Sequence, residues 1–497
     1  MFQQQICLGY CRLFLFFLFF FFNKNKNKNQ AARDESNSAK YANVLDRNAD
    51  PAPIRPWHGV LEHTVPTNPP PIDSSLPDES ALQLEWVHGY FAAGTRNAVQ
   101  YTVFGDIIFP AACVGAVMSS ERHEQKFMMA HTAAIGCVAM HPAGKVCATG
   151  DAAGPRPVIC LWDVGTCQVL CQLSGFHQKA VTSLAFSPSG RQLVSVGADR
   201  FHSVAVYDWQ LRRLLYSCHS KEGAVLDLAF RSEDEFMTCG VEHLTFWRGT
   251  GSARRGQEGI YGKLGKRQTH LCVATLEDGR AVTGTMSGHI YVWDCRNCVK
   301  QVKAHDKSVN VIYVCKHGLI TGGRDGKVRL WSASGANIEP GAVFDIGGLG
   351  SFNPRVRSVC WSSDGGKLLV GTMGSEIYEI SAGDGSNYHA GPVLQGHCRH
   401  EVHGLAMSPV KPEYCTVGDD QTVRIWDMKT RALIKMVMLD TMARCCRYSP
   451  DGALIVVGLG AKIEGVARQK KMGAYIVLDA SDLTITHEAR DSKEPPT

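Results

Sequence analysis

Val423-Arg424-Ile425-Trp426-Asp427 reads as a strand that ends on a Trp-Asp pair. The ending recurs as Val158-Ile159-Cys160-Leu161-Trp162-Asp163, Val204-Ala205-Val206-Tyr207-Asp208, His289-Ile290-Tyr291-Val292-Trp293-Asp294 and Val328-Arg329-Leu330-Trp331-Ser332. Weaker copies end at Trp247, Tyr378 and Leu478-Asp479. Successive endings lie 38 to 52 residues apart. A Trp-Asp period of roughly 40–45 residues marks four-stranded propeller blades. The expected class is therefore all-β: a WD40 β-propeller of about seven blades. Such a fold usually serves as a docking platform, so partners come before catalysis.

The unit from Gln395 to Leu439 shows why each repeat becomes a sheet. Val402 to Met407, Tyr414 to Val417, Thr422 to Trp426 and Ala432 to Met438 are short apolar or β-branched runs. Ser408-Pro409, Asp419-Asp420-Gln421 and Asp427-Met428-Lys429-Thr430 separate them, which is the strand-and-turn pattern. The unit from Ala304-His305 to Trp331-Ser332 repeats the plan around Gly322-Gly323-Arg324-Asp325-Gly326. A single four-stranded unit cannot bury both faces, so the units must stack around an axis.

The His, Asp and Trp of a unit invite a metal or catalytic reading. The plainer reading is that a buried His and a turn Asp hydrogen-bond, because buried polar groups need partners. His397, Asp420 and Trp426, and likewise His305, Asp325 and Trp331, are assigned that structural role.

Composition sets limits. The 497 residues hold one large propeller with additions, or two domains. A net charge of +5 with no basic-aromatic face argues against nucleic acid. The 19 cysteines sit mostly singly on strands, where free Cys acts as a small buried hydrophobe, and the pattern points to a reducing compartment. Cys295-Arg296-Asn297-Cys298 falls in the turn after a Trp-Asp strand, and no second pair completes a zinc site.

Residues 1–80 are different material. Leu13 to Phe22 contains only Leu and Phe, and Asn and Lys alternate after it. The apolar run is shorter than the about 20 residues a membrane span needs. Arg12 and the missing small-residue cleavage site argue against a signal peptide. A disordered tail or a misplaced gene start is the expected reading, followed by a Pro-rich linker to Ser80. At the other end, a unit from Cys445 to His487 starts an eighth repeat that is expected to open an incomplete second propeller, as in a truncated chain.

Leu84-Glu85-Trp86-Val87-His88-Gly89-Tyr90 precedes the first repeat, with Arg96-Asn97-Ala98-Val99-Gln100-Tyr101 and an apolar stretch from Ile107 to Met118 behind it. These side chains must bury against the propeller, or they would leave a large exposed patch. The segment resembles the HELP motif of the echinoderm microtubule-associated protein-like family. Further matches include Gly259-Ile260-Tyr261-Gly262-Lys263 and Ile320-Thr321-Gly322-Gly323-Arg324-Asp325-Gly326, and the resemblance spans roughly Ala81 to Lys493. It implies a cytoplasmic, cytoskeleton-associated protein that binds tubulin or microtubules through tandem propellers. The chain looks most like a truncated module of the longer members, since residues 1–80 show no apolar heptad for a coiled coil. Its oligomeric state is left open on this reading.

The expected organisation is thus 1–80 low complexity, 81–128 HELP-like, 129–439 a propeller of about seven blades, and 440–497 the eighth repeat. The ring is expected to close through the strand at Gln125 to Ala130 against the unit that ends at Trp426.

Chemistry is sparse. There is no G-x-x-x-x-G-K-[ST] loop, no supported dinucleotide glycine pattern and no G-x-S-x-G elbow. His400, Glu401 and His403 read as a blade-top loop. No cofactor, metal, catalytic residue or membrane span is expected, so the chain reads as non-enzymatic. The functional lead is a basic loop with Arg254, Arg255, Lys263, Lys266 and Arg267 as candidate partner-binding residues. A second basic run holds Lys462, Arg468, Lys470 and Lys471. Both suit the acidic surface of tubulin, where complementary charge raises encounter rate and specificity. A general protein-interaction scaffold that contacts other proteins through its propeller faces, without microtubule binding, is the alternative.

Overall fold

Strands and tight turns alternate from Gln100 to Arg490 in the structure, a computed structural model that describes residues 83–220, 223–249, 254–334, 337–399, 401–460 and 474–490. The readings made for residues 1–80 lie outside the described residues. No α-helix occurs among the described residues, and a single 3-10 turn covers Gly347–Leu349. The strands form nine antiparallel sheets in chain order. Sheet one spans 100–128, two 135–173, three 181–219, four 225–258, five 270–303, six 309–345, seven 356–381, eight 402–438 and nine 443–490. All have four strands except sheet seven, which has three.

Sheets one to seven bury apolar side chains on both faces, because side chains alternate across a strand and both neighbours are protein. Sheet one shows this most plainly. On Ile107–Ala111, Ile107 and Phe109 join a cluster with Cys360, Leu369 and Ile377 of sheet seven. Ile108 points the other way, into a cluster with Ile135, Cys160 and Trp162 of sheet two. Further clusters join sheets two and three, three and four, four and five, five and six, and six and seven. Sheets one to seven thus close a ring, with Gln100–Tyr101 beside Val356–Trp361 and Ile107–Ala111 beside Ile135–Met140.

This arrangement differs from the closure expected from the repeats. The strand Glu124–Met128 does not close against the unit ending at Trp426. It belongs to a complete four-stranded sheet, which occupies the place between sheets seven and two. Sheet eight packs instead on sheet nine, Val402–Met407 against Ala443–Tyr448, over Val417, Ile425, Ile455, Ile476 and Leu478. The physical reason is area. The 100–128 segment has two apolar faces of its own and needs two neighbours.

The preceding residues 85–99 run between the ring and sheet eight. Tyr90 is buried, donates from its hydroxyl to Thr372 O (2.8 Å) and receives Ser375 Oγ on its carbonyl (2.8 Å). His88 packs tilted against Trp426 with centroids 4.3 Å apart and meets the Tyr414 hydroxyl at 2.7 Å. Gly89 (φ +74°) passes so close to Gly396 that a Cβ on it would lie 2.8 Å from the Gly396 Cα. Only glycine suits both demands.

Candidate partner-binding surface

The His-Asp-Trp sets have to be placed first, since they compete for a functional reading. In sheet eight, His397 Nδ1 lies 2.8 Å from Asp420 Oδ1 and Nε2 lies 2.8 Å from Thr416 Oγ1. Trp426 Nε1 donates to the same hydroxyl at 2.8 Å. An ionised Asp only accepts, so Nδ1 carries the proton and Nε2 accepts from threonine. The threonine hydroxyl thereby gives one hydrogen bond and receives another. Burial works against the Asp420 carboxylate, yet the His397 hydrogen bond, the nearby Arg424 and the Thr422 hydroxyl bring its pKa down to about 2.

Sheet six repeats the set with His305, Asp325, Thr321 and Trp331, and sheet two with His131, Asp151, Thr149 and Trp162. Sheet three uses His177, Ser203 and Ser195, and sheet five uses His270, Thr283 and Trp293. The second carboxylate oxygens are held from outside the sets, Asp420 Oδ2 by Cys398 N, Asp151 Oδ2 by Val158 N and Asp325 Oδ2 by Asp306 N, so the sets are bonded as structural ties. The threonine was missed in the sequence. Its signal is a Thr ten residues before the Trp, as at Thr283, Thr321 and Thr416.

The basic loop is built on sheet four and the connection to sheet five. Gly259-Ile260-Tyr261-Gly262-Lys263 is its anchor. A Cβ on Gly259 would lie 2.9 Å from the Trp293 ring, Ile260 N donates to Arg296 O at 2.7 Å, and Tyr261 packs edge-on to Trp293 with centroids 5.1 Å apart. The Tyr261 hydroxyl meets His270 Nε2 at 3.0 Å. This plug leaves the following residues outside. Lys263, Lys266 and Arg267 are exposed, as is Leu264 beside them, and Arg255 is exposed on the edge strand Arg255–Glu258.

Arg254 does not belong with them. It is 3% exposed, with its guanidinium 5.1 Å from the Phe236 ring centroid and 5.8 Å from that of Tyr216. Its Nε donates to Gly249 O (2.9 Å), and burial lowers its pKa. The chain enters the edge strand at this point, and the aromatic wall between sheets three and four takes the side chain inward. Charge counted along a sequence does not reveal such a wall. Arg267 is partly engaged, since its Nε donates to Glu242 O at 2.7 Å and its Nη1 lies 3.9 Å from Glu258 Oε2.

The second basic run, Lys462 to Lys471, lies outside the described residues. Cys295 is exposed in a positive-φ turn while Cys298 is buried, and no described cysteine is paired with another. His403 Nε2 lies 3.2 Å from Asp419 Oδ1, which Arg444 also approaches at 3.3 Å. Among the described residues no cluster of His, Cys, Asp and Glu is arranged to hold a metal ion, and no helix is long and apolar enough to cross a membrane.

Residues 124–380 match the model of the echinoderm microtubule-associated protein first beta-propeller, 77–116 the HELP motif and 391–427 the WD domain G-beta repeat. Echinoderm microtubule-associated protein-like 2 from Mus musculus is 30% identical over 80% of this chain and 62% of its own length. The like-1 protein from the same species is 28% identical over 76% of this chain and 47% of its own. The like-4 protein from Xenopus laevis is 28% identical over 84% of this chain and 46% of its own. The chain spans less than two thirds of the length of these relatives.

Proposed function

The chain belongs to the echinoderm microtubule-associated protein-like family, and we propose that it is a non-enzymatic, cytoplasmic propeller protein that binds tubulin or microtubules. The observation that carries this reading is the family match over the ring together with one exposed cationic surface. Arg255, Lys263, Lys266 and Arg267 form that surface, with Leu264 as an apolar contact among them. Arg254 supports it from beneath by holding the start of the edge strand. In domain terms we divide the chain into a seven-sheet ring at 100–381 and a pair of packed sheets at 402–490.

Co-sedimentation with microtubules, run beside a pull-down on free tubulin dimers, tests the proposal. Reversing Arg255, Lys263, Lys266 and Arg267 to Glu is expected to weaken binding by roughly tenfold or more and to flatten its salt dependence. Wild-type protein that captures neither form of tubulin would leave the general scaffold as the better reading. Equal binding by the reversed variant would move the contact to another surface.

A further inference from the structure

The ring encloses a central cavity of about 760 Å3. Its wall is made by the innermost strands of sheets two to six, by residues 93–100 and by Arg357 of sheet seven. Most of that wall is apolar or small. Three charged side chains line it: Arg96, Arg357 and Asp227.

The two guanidinium groups are fastened by carbonyl oxygens, not by carboxylates. Arg357 donates from Nε to Ala92 O (3.1 Å) and from Nη2 to Ala93 O (3.3 Å) and Thr95 O (2.6 Å). Arg96 donates from Nη1 to Leu271 O (3.0 Å). Among the described residues neither forms an ion pair. Burial lowers the Arg357 pKa to about 10, and the Arg96 charge nearby adds to the effect. Two like charges thus share one cavity.

Asp227 is occupied differently. Its Oδ1 accepts from Leu228 N and its Oδ2 from Val273 N, both at 2.9 Å, so it ties sheet four to sheet five. Burial pushes its pKa up to about 6 despite those donors. One carboxylate therefore faces two cations, and the cavity carries an excess positive charge even with Asp227 ionised. Asn97, on the same wall, has a buried amide oxygen with no hydrogen-bond partner. An unpaired buried acceptor costs free energy until something donates to it.

We infer that the central cavity binds a small hydroxylated anion of the phosphate monoester class, its phosphate between Arg96 and Arg357 and a hydroxyl donating to Asn97. The volume is that of an ordinary small-molecule site. The anion relieves the repulsion between the guanidinium groups, which suit oxyanions by their planar fork of donors. The one hydroxyl of hydrogen phosphate sits on the phosphorus that the guanidinium groups hold, whereas a polyol phosphate carries separate hydroxyls along its chain, free to donate to Asn97 while the phosphate stays with the arginines. This site is separate from the cationic surface and does not depend on tubulin binding.

Isothermal titration calorimetry on the full chain, without tubulin and at low ionic strength, tests it with glycerol phosphate, inorganic phosphate and glycerol as probes. Glycerol phosphate is expected to bind roughly tenfold more tightly than inorganic phosphate, with no heat from glycerol. Arg96→Gln should weaken glycerol phosphate binding by roughly tenfold, because it removes one cation while leaving the three carbonyl contacts of Arg357. Asp227→Asn should tighten it several-fold by removing the opposing charge, a gain that a merely damaged fold does not produce. Absence of binding by glycerol phosphate overturns the inference. So does equal affinity for the two phosphates, or an affinity unmoved by both substitutions.

Discussion

Sheets seven and eight solve the same problem in two ways. Sheet eight carries its own polar network, with His397, Asp420, Thr416 and Trp426 bonded among themselves. Sheet seven has three strands and no His-Asp-Trp set; Glu376 accepts from Thr372 Oγ1 (2.8 Å) and Phe352 N (2.9 Å) locally, and the sheet draws on distant chain as well. Tyr90 reaches Thr372 O, Ala98 N donates to Ser358 Oγ (3.0 Å), and Arg357 gathers the carbonyls of Ala92, Ala93 and Thr95. Sheet eight adds one aromatic contact from the same segment, His88 against Trp426 and the Tyr414 hydroxyl. Sheet seven takes several backbone and side-chain hydrogen bonds from chain some 260 to 285 residues away in sequence. The segment 85–99 therefore serves both sheets, and sheet seven most heavily.

Substitutions can break that contrast. Trp426→Ala has the largest expected effect, about 3–5 kcal/mol, because it empties a fully buried site. Hydrogen exchange should report the loss in sheets eight and nine while the ring stays protected; uniform exposure of all nine sheets would show that sheet eight is not self-sufficient. Thr416→Val comes next, at about 1–3 kcal/mol, since it leaves His397 Nε2 and the Trp426 indole N–H without partners. A chemical melt with unchanged midpoint would remove threonine from its central place. Tyr90→Phe keeps the ring and loses one hydrogen bond, costing about 1 kcal/mol. Here faster exchange should appear in sheet seven and not in sheet two.

The smallest effect sharpens the comparison through pH. Asp227 has a folded pKa near 6, above its unfolded value, so protonation favours the fold. Its contribution is greatest below about pH 4 and falls as pH rises to about 6. Buried His88, whose pKa is lowered mainly by burial to about 3, acts oppositely: its neutral form suits the fold, and stability is lost as pH falls from about 6.5 towards 3. Denaturant midpoints of Asp227→Asn measured from pH 4 to 7 should fall more steeply towards acid than those of wild type. Parallel profiles would show that the carboxylate is ionised across this window.

Much of this was legible in the residues. The Trp-Asp endings placed sheets two to nine, and the pairing of His with Asp followed from the rule that buried polar groups find partners. Sheet one lacks a Trp-Asp ending, so its residues signal apolar packing but not its rank as a blade, which depends on meeting sheet seven far along the chain. Five basic residues close in sequence mark Arg254 as a surface cation. Phe236 and Tyr216, which draw it inward, come from two different sheets.

Local pattern alone determined the all-β class, the repeat length, the turn positions and the family resemblance, since strand alternation and turn chemistry act over a few residues. Tertiary structure decided which sheets close the ring, which cations face solvent, and that Arg96, Arg357 and Asp227 share one cavity. Those outcomes depend on which faces meet, and contacts across hundreds of residues carry no periodic mark in the chain.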